Sequence, residues 1–123
     1  MTKGAALYEF FDSFGLPAYA ATSVPEDTVF PYLTYEVVLD TWEGGEVNIP
    51  VNLWFYTESE AIPNAKAEEI SAAIGLGGVK LPCNGGFIWL KRGSPWCTNL
   101  GDDTAANIKR RSLNVSAEYL TIN

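Results

Sequence analysis

Ten residues, VNIPVNLWFY (47–56), most constrain what this chain can fold into. Val47, Ile49, Val51, Leu53 and Phe55 alternate with Asn48, Pro50, Asn52 and Trp54, a period of two that gives a strand one apolar face. The stretch before it, YLTYEVVLD, repeats the pattern with Leu33, Tyr35, Val37 and Leu39 against Thr34, Glu36 and Asp40. Gly44-Gly45 between the runs predicts a β-hairpin whose tip carries Trp42, Glu43 and Glu46. Pro50 has no N–H to give a ladder, so its strand needs an edge or a bulge there.

Elsewhere the period changes to that of a helix. Leu7, Phe10, Phe11 and Phe14 stand at i, i+3, i+4 and i+7, with Gly15 placed to end the turn and Pro17 to prevent continuation. A second helix is predicted over 60–74, with Pro63 in its first turn, a stripe of Ala67, Ile70 and Ile74, and Gly75 behind it. GVKLP and GGFIWLK read as two strands around Asn84-Gly85, and SLNVSAEYLTI as a last strand with Leu113, Val115, Ala117 and Tyr119 inward. About twenty residues between FIWLK and this last strand show no period, and long irregular connections in compact domains are usually functional or disordered. The order predicts one α+β domain over residues 1–123. Its core is a mixed, mostly antiparallel sheet of about five strands with two helices packed on one face, plus an extended hairpin and a long loop.

Composition narrows the function. The 123 residues contain no histidine, which removes Ser-His-Asp and Cys-His nucleophiles and most zinc and non-haem iron sites. A net charge of -7 argues against nonspecific binding to nucleic acid and against anionic membranes. No basic stretch followed by an apolar one opens the chain and no apolar run approaches eighteen residues, so a soluble cytosolic chain with reduced Cys83 and Cys97 is expected.

The remaining candidates for chemistry are thin. Asp102-Asp103 suit a hard cation, but no third ligand is near in sequence and adjacent aspartates beside Gly are usually turn residues. Cys83 and Cys97 lack the C-x-x-C spacing of redox or metal sites, although a hairpin would be able to bring them together. GLGGVK and NGG match no phosphate-binding fingerprint. Lys109-Arg110-Arg111, set against fifteen carboxylates in the chain, fits contacts to acidic groups on the same or a neighbouring subunit. Trp42, Trp54, Tyr56 and Trp96 at tip, outer-face and loop positions are more aromatic surface than a monomer of this size usually exposes.

With these residues in order, the chain resembles the tail terminator (tail completion) proteins of long-tailed bacteriophages and prophages. The resemblance rests on LYEFFDSFGLPAY, VFPYLTYEV, the hairpin, AKAEEISAAIG and the closing W-x-x-N-x-x-D-D followed by IKRRSLNVSAEYL. It implies a structural virion protein with no reaction and no cofactor. Copies would form a ring, typically hexameric, that caps the tail tube, ends its polymerisation and joins the head connector, with DNA only as passing cargo and no membrane partner. The positions that would carry the contacts are Trp42, Glu43 and Glu46 at the hairpin tip, Trp54, and Trp96, Asp102, Asp103, Lys109, Arg110 and Arg111 in the long loop. The alternatives are a head-closure, neck or tail-tube protein of the same particle, or a small ligand-binding or carboxylate-dependent enzyme domain using Asp102 and Asp103.

Overall fold

A computed structural model describes residues 1–39, 45–101 and 105–122. Helix α1 (Lys3–Phe11) starts at Thr2, whose side-chain oxygen accepts from the Ala5 amide at 3.1 Å. It passes into a 3₁₀ turn, Asp12–Phe14, that ends at Gly15 with φ 83°, a left-handed conformation favouring glycine. Then follow β1 (Ala18–Ala20), β2 (Tyr32–Tyr35), β3 (Glu46–Tyr56), α2 (Ala61–Ile74), β4 (Val79–Cys83), β5 (Gly86–Gly101) and β6 (Ile108–Thr121).

All six strands form one sheet in the order β1-β2-β3-β6-β5-β4, with only the β1–β2 pair parallel. The alternation read from 47–56 decides its two faces. Ile49, Val51, Leu53 and Phe55 are buried together with Leu113, Val115 and Ala117 of β6. Leu33 and Tyr35 of β2, Ile88 and Leu90 of β5 and Leu81 of β4 complete this inner face. Both helices cover it, α1 against β1 and β4, and α2 against β3, β5 and β6. Leu7 and Phe11 of α1, Phe14 behind them and Ala67, Ile70 and Ile74 of α2 are buried there.

Three local expectations are revised. The sheet has six strands, not about five, because β1 forms from three residues too few to show a period; the Leu33 amide donates to the Pro17 carbonyl at 2.8 Å to start the parallel pairing. β2 stops at Tyr35, and Val37 and Leu39 are exposed. Most of the aperiodic stretch is strand: β5 runs to Gly101 and β6 begins at Ile108. Its period was hidden by a bulge, since Arg92 pairs with Val115 and Cys97 with Leu113, leaving four residues opposite Asn114.

Pro50 occupies the kind of site its chemistry requires. β2 ends opposite Val51, and beyond it the Glu36 amide donates to the Pro50 carbonyl at 3.0 Å. N–H and C=O of one strand residue point to the same side, so the missing donor faces the place where β2 has ended.

Candidate assembly surface

The triplet Lys109-Arg110-Arg111 is split by the strand that holds it. On β6 successive side chains alternate, so Arg110 points to the outer face while Lys109 and Arg111 turn towards α2. Arg111 is 1% exposed. Its Nε donates to Asn64 Oδ1 at 2.8 Å and its NH2 to Glu60 Oε2 at 2.6 Å, both at the start of α2. Lys109 Nζ donates to the Ala106 carbonyl at 2.6 Å and lies 3.6 Å from Glu60 Oε1. Two of the three cations therefore tie the start of α2 to the sheet within one chain.

Arg110 has a different setting. It pairs with Trp54 across the β3–β6 ladder, and its guanidinium carbon lies 5.3 Å from the indole centroid. Tyr32, opposite Trp54 on β2, stacks on the same indole at 6.0 Å and 15° between planes. Trp54 Nε1 donates to Thr34 Oγ1 at 3.0 Å, which fixes the ring. Phe30 extends the cluster, 5.4 Å from Tyr32 and 6.0 Å from Tyr56. Arg110 Nε is buried without a hydrogen-bond partner. The result is an aromatic patch with one cation, beside a shallow groove of about 300 Å³ lined by Val29, Phe30, Pro31, Phe55 and Tyr56. Burial raises the Tyr32 hydroxyl above its ordinary pKa.

At the other end of the outer face, Lys91 donates to Glu46 and lies 3.6 Å from Glu118. Glu46 also accepts from Ser116 Oγ at 3.1 Å. The bond from Lys91, then that from Ser116, holds the Glu46 carboxyl below the usual range, and the same bond raises Lys91. Between the two ends lie short uncharged side chains, Asn48, Asn52, Ser112, Asn114 and Ser116.

Trp96 is not a free loop aromatic. It is half-buried against α2, with Nε1 donating to the Ala67 carbonyl at 3.3 Å. Trp42, Glu43, Asp102 and Asp103 lie outside the described residues. Sequence reasoning missed Tyr32, Phe30, Glu60 and Asn64. Tyr32 has the same parity as Thr34 in the alternation, which marks it for the outer face; the roles of Glu60 and Asn64 had no local signal.

Among the described residues no group of three His, Cys, Asp or Glu side chains is placed to hold a metal ion. Cys83 lies on the row of Gly86 and Thr121, and Cys97 on that of Leu113. Eight residues of β6 separate those rows, about 26 Å at the rise of a strand, so the hairpin does not bring the thiols together. Burial raises the Cys97 thiol, with Arg111 nearby opposing the shift. No helix among the described residues is long and apolar enough to cross a membrane.

No protein-family model matches the chain, and no curated protein matches it. Its fold is similar to that of a chain in a solved structure described as the virion of a native gene transfer agent particle. The TM-score is 0.59 at 20% identity, over 93% of this chain and 91% of that one.

Proposed function

We propose that this chain is a structural subunit of a phage-type particle and acts as its tail terminator. Copies form a ring, hexameric by the family resemblance, that caps the tail tube, ends its polymerisation and presents a surface to the head connector while DNA passes through. The observation that carries this reading is the whole-length likeness to a virion chain, since the shared fold extends over nine-tenths of both chains. The surface agrees with it. A protein with a one-sided sheet and an aromatic and arginine patch on the other face has the makings of a contact module.

In this reading Trp54 and Arg110, with Tyr32 and Tyr56 beside them, meet a neighbouring subunit or the tube. Trp42 and Glu43, ahead of β3 in sequence, and Asp102 and Asp103, ahead of β6, are assigned as aromatic and acidic counterparts, whereas Glu46, expected at the hairpin tip, is the first residue of β3 and is engaged by Lys91 and Ser116 of its own chain. Trp96, Lys109 and Arg111 act as positioning residues that hold α2 and β6 in place behind the surface. The chain functions in the neck of the particle, after assembly in the host cytoplasm. A net charge of -7 suits a passage through which DNA slides without sticking.

Mixing the purified protein with polymerising tail tubes tests the assignment, with length and end structure read by electron microscopy. A terminator gives short tubes capped by a ring. Long tubes built from this chain alone make it a tube protein, and rings that bind only the connector make it a head-closure protein. A monomer that binds neither tube nor connector overturns the proposal.

A further inference from the structure

Arg110 is set apart in an acidic chain. Lys66, Lys91, Lys109 and Arg111 each have a carboxylate of the same chain in reach. Arg92 donates to Ser71 Oγ at 2.8 Å near the end of α2, where a cation suits the helix dipole, and Lys80 lies over the Phe87 ring. Arg110 has no carboxylate and no hydrogen-bond acceptor among the described residues, although its Nε is buried. A guanidinium over an indole has its face occupied, while its N–H donors lie in its plane and remain free for a carboxylate. A half-buried cation of this kind is stabilised when a partner brings the acceptor.

The same chain has carboxylates in surplus, and two of them have a distinct setting. Glu26 and Asp27 are the central residues of a turn in which the Thr28 amide donates to the Pro25 carbonyl at 3.2 Å and Thr28 Oγ1 to the same oxygen at 2.6 Å. Both are exposed, and neither is in an ion pair among the described residues. The other adjacent acids described, Glu68-Glu69, differ in that Glu69 is paired with Lys66. Val24, beside the turn, is exposed as well. The turn belongs to the connection between β1 and β2, so it is carried by that side of the sheet.

Arg110 lies towards the other side. Tyr32, Trp54, Arg110 and Leu100 form one row across β2, β3, β6 and β5 on the outer face. β4 pairs with β5 only from Gly86 to Leu90, so at Leu100 β5 is the last strand of the sheet. Arg110 is therefore one strand in from that border, about 5 Å, and is reached from outside over Leu100. We propose that the Pro25–Thr28 turn of one copy docks on Arg110 of the next, with Glu26 and Asp27 as acceptors for its guanidinium and Val24 against Leu100. The turn leads into one end of the row and the arginine stands near the other, so the contact is head-to-tail, the kind that gives a ring where the rotation closes. A turn on one arginine buries far less than the ~1,200 Å² of a stable pair, so the contact persists only where closure holds each subunit on both sides.

This inference rests on the ring reading, and a mixing experiment separates the two. Arg110→Glu gives a chain with acids on both surfaces, and Glu26→Arg with Asp27→Arg a chain with arginines on both. Each alone is expected to assemble at least about tenfold more weakly, read by sedimentation and electron microscopy, with urea unfolding to show that it is folded. An equimolar mixture is expected to assemble again in alternation, because every turn then meets a patch of opposite charge. A contact within one chain gains nothing from mixing. Arg110→Gln, expected to weaken assembly about tenfold, reads the same patch if Arg110→Glu does not fold. Full assembly of either reversed chain alone or of Arg110→Gln, or a mixture of the reversed chains that stays apart, overturns the pairing, while rings of the unsubstituted protein uphold the ring reading. Arg110→Glu rings that no longer cap tubes assign the patch to the tube and overturn it as well. If the unsubstituted protein forms no ring on its own or on tubes, both fall.

Discussion

Trp54 and Arg110 face each other across the β3–β6 ladder on the uncovered side of the sheet, with 5.3 Å between guanidinium carbon and indole centroid. One residue further along, Arg111 points the other way and is buried against Glu60. Neighbours in sequence thus have opposite duties, one on a surface and one in the fold.

Charge reversal separates those duties. Arg110→Glu is expected to leave a folded chain, losing about 0.5–2 kcal/mol of cation–π attraction, while abolishing assembly on the patch. Arg111→Glu brings a second carboxylate against Glu60 in a buried site, a cost of about 3–5 kcal/mol that takes much of a marginal stability. Urea denaturation alongside light scattering distinguishes the two. An Arg110→Glu protein that assembles normally would remove the patch from the contact surface.

The Glu60–Arg111 pair allows a sharper test of a buried ion. Glu60 is itself 60% exposed at its side chain, so its removal leaves Arg111 with Asn64 and backbone oxygens only. Glu60→Ala is expected to destabilise by about 1–3 kcal/mol. Arg111→Met, which removes the charge and keeps the length, is expected to be near neutral and to cancel the Glu60→Ala loss in the double variant. Additive losses would show that the pair is not coupled.

Glycine substitutions should have opposite signs at two places. At Gly4, in α1, an added Cβ meets nothing within 4 Å, and Gly4→Ala should raise stability by about 0.5–1 kcal/mol. Gly78 has φ 86° and its Cβ would come within 2.5 Å of the Leu90 carbonyl, so Gly78→Ala should lower stability by about 1–3 kcal/mol. Thermal melts at one pH read both.

The Lys91–Glu46 contact predicts a small pH dependence of known sign. Glu46 has a lowered pKa in the fold, so its contribution is present above the unfolded carboxylate pKa and is lost as pH falls through the folded value. Lys91 is raised, so its part is complete below the unfolded lysine pKa and is lost as pH rises through the folded value. Between these limits both are present. Glu46→Gln should flatten the acid side of the stability profile, and added salt should shrink the difference because the pair is at the surface. An unchanged acid limb in Glu46→Gln would refute the assignment.

Alternation within 47–56 and 113–119, the stripe Leu7, Phe10, Phe11 and Phe14, and the Asn84-Gly85 turn all belong to local periodicity, and the elements appear where those signals fall. The approach of Arg111 to Glu60 spans fifty-one residues, and no local pattern announces a contact between an interior strand and the first turn of a helix. The same holds for Tyr32 on Trp54, and for the bulge that hid the strands between Gly93 and Arg111.

By itself the sequence determined which faces are apolar, where helices stop, and, through the absence of histidine, that no imidazole takes part in whatever this protein does. Those are properties of residue type and spacing along the chain. Tertiary structure alone decided the strand order β1-β2-β3-β6-β5-β4, and with it the row that sets Tyr32, Trp54, Arg110 and Leu100 side by side. It also decided which arginine faces water and which is locked under α2. Strand order and register come from packing many faces into one core, a choice that no short stretch of residues contains.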